Sequence, residues 1–153
     1  FFSLKPKKKK KKRNPVSNCL PSSSGVQSPR KITKLTYSFR SHHGTYLRIN
    51  RNNTVDAAEH CLEWEQFTLN KFHCTGVKSH HGTYLRINKS LAVDAAPHCR
   101  EWESFQIITH ANGKVSLKSR HFGTFLRIKD DGTVDAAPHC REWEQFDMIK
   151  HFQ

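Results

Sequence analysis

Three stretches of this chain are nearly the same text: GTYLRINRNNTVDAAEHCLEWEQFTL from Gly44, GTYLRINKSLAVDAAPHCREWESFQII from Gly82 and GTFLRIKDDGTVDAAPHCREWEQFDMI from Gly123. A threefold internal repeat constrains the fold more than any other feature, because each copy must bury its apolar face against its neighbours. The interval from Gly44 to Phe67 equals those from Gly82 to Phe105 and from Gly123 to Phe146, so the interior of the unit accepts no insertion. Length varies only between units. The connector from Phe67 to Gly82 is three residues shorter than that from Phe105 to Gly123, as if part of a strand were lost.

Within each unit the apolar period is two. Leu47 and Ile49 alternate with Tyr46 and Arg48, and Val55 and Ala57 alternate with Thr54 and Asp56, which is a strand pattern. The intervening segments NRNNT, NKSLA and KDDGT have turn composition, so each pair reads as a hairpin with a five-residue loop. If Ile49 faces Val55, then Leu47 faces Ala57 and Arg48 faces Asp56. The same rule pairs Arg86 with Asp94 and Arg127 with Asp135, on the face opposite the apolar residues. Further strands run through Leu35, Tyr37 and Phe39 before Gly44, through Val115 and Leu117 before Gly123, and from Phe67, Phe105 and Phe146 onward. Four short strands per unit predict an all-β chain of about twelve strands. The units span about residues 33–70, 71–110 and 111–151 of a single domain, 33–153, that follows a tail of residues 1–32.

The formal net charge of +13 is unevenly spread. Residues 1–32 hold ten basic residues and no acidic one, so the remainder carries sixteen basic against thirteen acidic residues, a net of only +3. The block Lys7, Lys8, Lys9, Lys10, Lys11, Lys12 and Arg13, followed by a Ser- and Pro-rich stretch, is expected to be disordered. It fits a nuclear import signal, a contact for nucleic acid or anionic lipid, a clamp on an acidic protein surface, or a solvated tail. Cys61, Cys99 and Cys140 hold the same place in three units, where a threefold fold keeps them apart. With five cysteines in all, no disulfide framework is expected and a reducing compartment is. No apolar run approaches the ~18 residues of a membrane span, and FFSL is shorter than a signal peptide's apolar region.

The phrases SFRSHHGTYLRI, VKSHHGTYLRI and LKSRHFGTFLRI, each followed by TVDA or AVDA and then EWEQF or EWESF, carry a family resemblance. They resemble the repeats of the fascin-like and hisactophilin-like β-trefoil proteins, the actin cross-linking group. The resemblance covers all three units. It implies a six-stranded barrel closed at one end by three hairpins, a cytoplasmic, cytoskeleton-associated protein, and actin filaments as partner. Other fascin-like trefoils that this chain resembles are nuclear, which together with the Lys run implies a nuclear or RNA-associated adaptor as the alternative. The wording FLRI and GTVDA also resembles fibroblast growth factors, secreted trefoils that bind sulfated glycans such as heparin. Their basic binding region corresponds here to DDGTVDAAPHCREWEQFDM, which is net acidic. The Gln-x-Trp of ricin-type sugar-binding trefoils is absent from the sequence.

All eleven histidines lie within the repeats. His42, His43, His80, His81 and His121 sit in the turn before each GT and, with the Lys block, are the candidate partner-binding residues. In hisactophilin-like proteins such histidines make binding respond to pH, as imidazole titration allows; the plainer alternative is polar turn chemistry. His60, His98 and His139 precede the repeated cysteines. The His-Cys pairs bring zinc to mind, but neighbouring residues on a strand point to opposite sides, so the reading is structural and neither a metal nor a cofactor is expected. Gly44, Gly82, Gly123, Trp64, Trp102, Trp143, Phe67, Phe105 and Phe146 form the structural signature, with the tryptophans and phenylalanines expected to be buried. No residues assemble a nucleophile, base and oxyanion site or a phosphate loop, so an enzyme is not expected.

Overall fold

The computed structural model describes residues 34–70 and 75–152, and the Lys7 to Arg13 block lies outside them. Twelve strands follow in order: β1 Leu35–Arg40, β2 Tyr46–Ile49, β3 Val55–Ala58, β4 Thr68–Asn70, β5 Gly76–Lys78, β6 Tyr84–Ile87, β7 Val93–Ala96, β8 Phe105–Thr109, β9 Val115–Ser119, β10 Phe125–Ile128, β11 Val134–Ala137 and β12 Asp147–Phe152. A short 3-10 turn at Glu63–Glu65, Glu101–Glu103 and Glu142–Glu144 ends each hairpin's return path. The strands form three four-stranded antiparallel sheets in the orders β12, β1, β2, β3, then β4 to β7, then β8 to β11. The hairpin register is the one the alternation predicts: Ile49 opposite Val55, Leu47 opposite Ala57 and Arg48 opposite Asp56, with the same pairs in the other two units. Strands β4 and β5, which lie within the short connector, are the shortest, at three residues each.

The sheets are joined edge to edge by backbone bonds. Tyr37 and Phe67 exchange N–H to O=C bonds of 2.8 Å each, Val115 and Phe146 exchange bonds of 2.9 and 2.7 Å, and the Phe105 N–H donates to Thr75 O at 2.9 Å. These links connect β1, β4, β5, β8, β9 and β12 into a closed ring of hydrogen-bonded neighbours, so these strands present no free edge where they meet. The three hairpins touch pairwise at one end through bridges between Thr54 and Asp94, Ala92 and Asp135, and Asp56 and Thr133.

Equivalent residues from the three units fill the interior in layers. Phe67, Phe105 and Phe146 are 0% exposed, as are Leu47, Leu85 and Leu126, and Ile49, Ile87 and Ile128. Phe39, Val77 and Leu117 form a further set at 0%. Phe39 meets Phe67 with ring centroids 6.0 Å apart and Phe146 at 6.5 Å. The tryptophans depart from expectation. Trp64, Trp102 and Trp143 are only half-buried, because the 3-10 turns lie outside the strand ring and their indoles pack on a neighbouring unit's turn rather than in the core.

Each hairpin loop needs one residue with left-handed backbone at the same place: Asn53 (φ 71), Leu91 (φ 66) and Gly132 (φ 87). Glycine adopts this conformation freely, asparagine tolerates it, and a leucine is strained there. Leu91 is 41% exposed and so gains little packing in return. Leu91→Gly is therefore expected to raise stability by up to about 1 kcal/mol in urea unfolding, a net of relieved strain against glycine's larger unfolded entropy; a loss of that size would mean the loop is not strained. Phe105→Ala is expected to lower stability by about 3 kcal/mol or more in the same assay, and a loss near zero would move the Phe layer out of the core.

Candidate functional site

Three kinds of cluster recur around the ring, and they locate the candidate residues. The first is the turn before each Gly-Thr. The Ser41 hydroxyl accepts from the His43 and Thr45 N–H groups, each at 3.2 Å, and lies 2.8 Å from the Thr45 hydroxyl. Ser79 repeats the arrangement with His81 and Thr83. Gly44, Gly82 and Gly123 close these turns with φ of 86, 87 and 71, a conformation that a side chain at those positions strains. Serines 41, 79 and 119 are buried, and sequence reading passed over them; the signal was their recurrence just ahead of the histidines.

The turn sets where the histidines go. His42, His80 and His121 are exposed, whereas His43 and His81 lean into the seams between units. His43 packs edge to face on Trp143 with centroids 4.8 Å apart, and His81 packs on Trp64 at 4.6 Å. Nε2 of each of these two imidazoles is buried without a hydrogen-bond partner. The third seam differs. The third turn has one more residue, Arg120, and puts Phe122 against Trp102 at 5.5 Å, with His121 further off at 6.4 Å. The five candidate histidines therefore divide into two seam residues and three exposed ones, and they do not gather into one patch. Arg51 lies over the Trp64 ring at 5.9 Å, a cation–π contact that covers part of the exposed indole.

The second cluster is ionic. Arg48 donates from Nε and one terminal nitrogen to both oxygens of Asp56 at 2.8 Å, a bidentate pair repeated by Arg86 with Asp94 and by Arg127 with Asp135. Behind each arginine, 3.8 Å away, lies a buried carboxylate: Glu65, Glu103 or Glu144. These glutamates also accept the N–H of Leu62, Arg100 and Arg141, at 2.7, 2.8 and 2.6 Å, which ties down the start of each 3-10 turn. The hydrogen bond to the aspartate, more than the charges nearby, pushes each guanidinium further above its ordinary value. EWE is thus a structural word: the tryptophan closes the seam and the second glutamate anchors the turn.

The third cluster surrounds the repeated cysteines. His60, His98 and His139 are exposed. The histidines that meet the thiols come from other strands. Cys61 Sγ lies 3.7 Å from His151 Nε2, which is 2.9 Å from the Ser38 hydroxyl. Cys140 Sγ lies 3.6 Å from His110 Nε2, itself 3.0 Å from Ser116. Burial pushes both thiols up, the serine hydroxyl pulls each back in part, and Glu65 or Glu144 adds a smaller upward push. In the middle unit Gly76 replaces the serine, and Cys99, against expectation, is disulfide-bonded, its partner lying outside the described residues. A Cβ on Gly76 would lie 2.8 Å from Cys99 Sγ, so only glycine admits the sulfur there. A disulfide sulfur has no proton to donate, which makes its 3.7 Å approach to Glu103 O a contact rather than a bond.

A shallow cavity of about 370 Å³ lies beside Leu69, Ile107 and Met148, the residues two past each layer phenylalanine, and Arg120 is the one charged residue in its lining. No helix among the described residues is long and apolar enough to cross a membrane. Comparison with protein-family models and with curated proteins finds no match to this chain.

The ionic clusters predict an asymmetry between their partners. Arg86→Met leaves Glu103 buried without its cation and is expected to cost about 1–3 kcal/mol. Asp94→Asn removes only a third-exposed partner and is expected to cost less than about 1 kcal/mol. Equal losses in urea unfolding would mean that the glutamate does not need the arginine.

Proposed function

We propose that this chain is a β-trefoil of the fascin-like and hisactophilin-like group, and that it acts as a non-catalytic binding protein for actin filaments. The observation that carries the fold is the closed ring of six strands with three hairpins meeting at their ends, each third of it built by one copy of the repeat. The words that resemble the family, SHHGTYLRI and EWEQF, fall on the residues that make the turns, hairpins and seams. Actin as the partner rests on that resemblance alone.

Binding is favoured over catalysis by the state of the thiols. A Cys-His pair is the start of a nucleophilic site, but a catalytic cysteine needs a stabilised thiolate, and here burial pushes Cys61 and Cys140 the other way. Two other readings have one observation each. The run from Lys7 to Arg13 favours a nuclear or RNA-associated adaptor. The Cys99 disulfide favours a secreted, heparin-binding protein, since such bonds persist in oxidising compartments.

A repeat region of only +3 and a tail of +10 divide the work of binding. The tail attracts an acidic filament through screened contacts, and the folded region supplies specificity. Full-length protein is expected to co-sediment with actin filaments and bundle them at low salt. Removing residues 1–32 is expected to leave a folded protein that no longer bundles and binds with a flatter salt dependence. If the parent fails to pellet with filaments at any salt, the actin reading is lost. A tagged protein concentrated in the nucleus would favour the adaptor, and heparin retention of the truncated chain at physiological salt would favour the secreted reading.

A further inference from the structure

The cavity beside Leu69, Ile107 and Met148 has no part in that function. We propose that it binds a small aromatic carboxylate, with the ring lying on those three residues and the carboxylate held by Arg120.

The cavity marks the one seam whose bonds differ. Tyr37 and Val115 exchange backbone bonds in both directions with Phe67 and Phe146. Thr75 holds the same place in the middle unit, but there the Phe105 N–H donates to Thr75 O while the Phe105 carbonyl accepts from Arg120 Nε at 3.3 Å instead. Thr75 also brings less apolar bulk than Tyr37 or Val115, both of which pack with the core. An opening of about 370 Å³ lies there, a volume within the range of small-molecule sites. Leu69, Ile107 and Met148 are half-buried on its floor, whereas the phenylalanines two residues before them are 0% exposed.

Arg120 supplies the charge. Its backbone N–H donates to Ser104 O at 3.0 Å and its Nε to Phe105 O, so both ends of the side chain are fixed. The two terminal nitrogens bond to no described residue. Arg48, Arg86 and Arg127 each have an aspartate and a glutamate beside them, but among the described residues no carboxylate pairs with Arg120. The outer donors of a guanidinium match the two oxygens of a carboxylate. Thr75 and Gln106 share the lining, and their side chains, bonded to no described residue, leave further donors for the same group.

The lining selects the ligand. A neutral apolar molecule would leave the guanidinium unanswered, and a bare phosphate or sulfate would leave the floor uncovered. The cavity is shallow, and a flat ring covers such a floor without the ordering of several torsions that a flexible chain requires. The Met148 thioether also makes favourable contacts with an aromatic ring.

Met148 is the only methionine in the sequence, so its methyl group is an unambiguous NMR reporter on the cavity. In the full chain with methyl-labelled methionine, naphthoate at neutral pH is expected to shift that signal to saturation. Naphthalenemethanol, the same ring with a neutral head, is expected to bind about tenfold more weakly, and octanoate, the same charge on a flexible chain, to bind more weakly than naphthoate. Arg120→Gln is expected to weaken naphthoate about tenfold and to leave the alcohol unchanged, which separates loss of the cation from loss of the fold. Arg100→Gln removes an exposed arginine outside the lining and is expected to change neither. A Met148 signal that does not move in millimolar naphthoate, equal affinity for the acid and the alcohol, octanoate binding as tight as naphthoate, or naphthoate binding undiminished in Arg120→Gln would each overturn the proposal.

Discussion

Everything in this molecule depends on the backbone bonds that join one unit to the next. A single unit has four short strands and one apolar face, too little surface to bury on its own. The paired bonds of Tyr37 with Phe67 and of Val115 with Phe146, and the bond from Phe105 to Thr75, bring three such faces round a common interior. Only then do Phe67, Phe105 and Phe146 have one another's sets to pack against. The six-residue pairing of β12 with β1 belongs to the same closure, since it brings the last strand of the third unit back to the first strand of the first.

Once the ring is closed, the seams decide how alike the units can remain. Two seams use a histidine edge on a tryptophan, and the third uses Phe122. The added Arg120 carries a consequence nearby: Thr124, in the place of Thr45 and Thr83, has a buried hydroxyl without a partner, while its two counterparts bond to the turn serine. A buried hydroxyl left unpaired costs on the order of 1–3 kcal/mol, and the other two seams carry their unpaired buried atom at Nε2 of His43 and His81 instead. His43 and His81 are thus seam residues, and of the five turn histidines His42, His80 and His121 are the exposed ones.

The cysteine positions show how equivalent places diverge. Ser38 and Ser116 each hold a histidine over a free thiol. Gly76 lacks the hydroxyl, and the space it leaves admits the sulfur of Cys99 in its disulfide. One backbone scaffold therefore holds a free thiol at two symmetry-related points and a disulfide sulfur at the third, where the neighbouring strand has glycine in place of serine.

Local order in the sequence determined a good deal by itself. Period-two alternation and five-residue turn segments were enough for twelve strands, the hairpin register and the Arg-Asp pairs, because cross-strand neighbours follow arithmetically from a turn of known length. Tertiary structure alone decided the rest. The tryptophans looked like core residues because they are large and apolar, yet Phe67 fills that space and Trp64 faces the turn of the next unit. His60 stands beside Cys61 in the chain, but the imidazole that reaches its sulfur is His151, ninety residues away. Contacts of that range are written into no local pattern, because closing the ring is what brings them together.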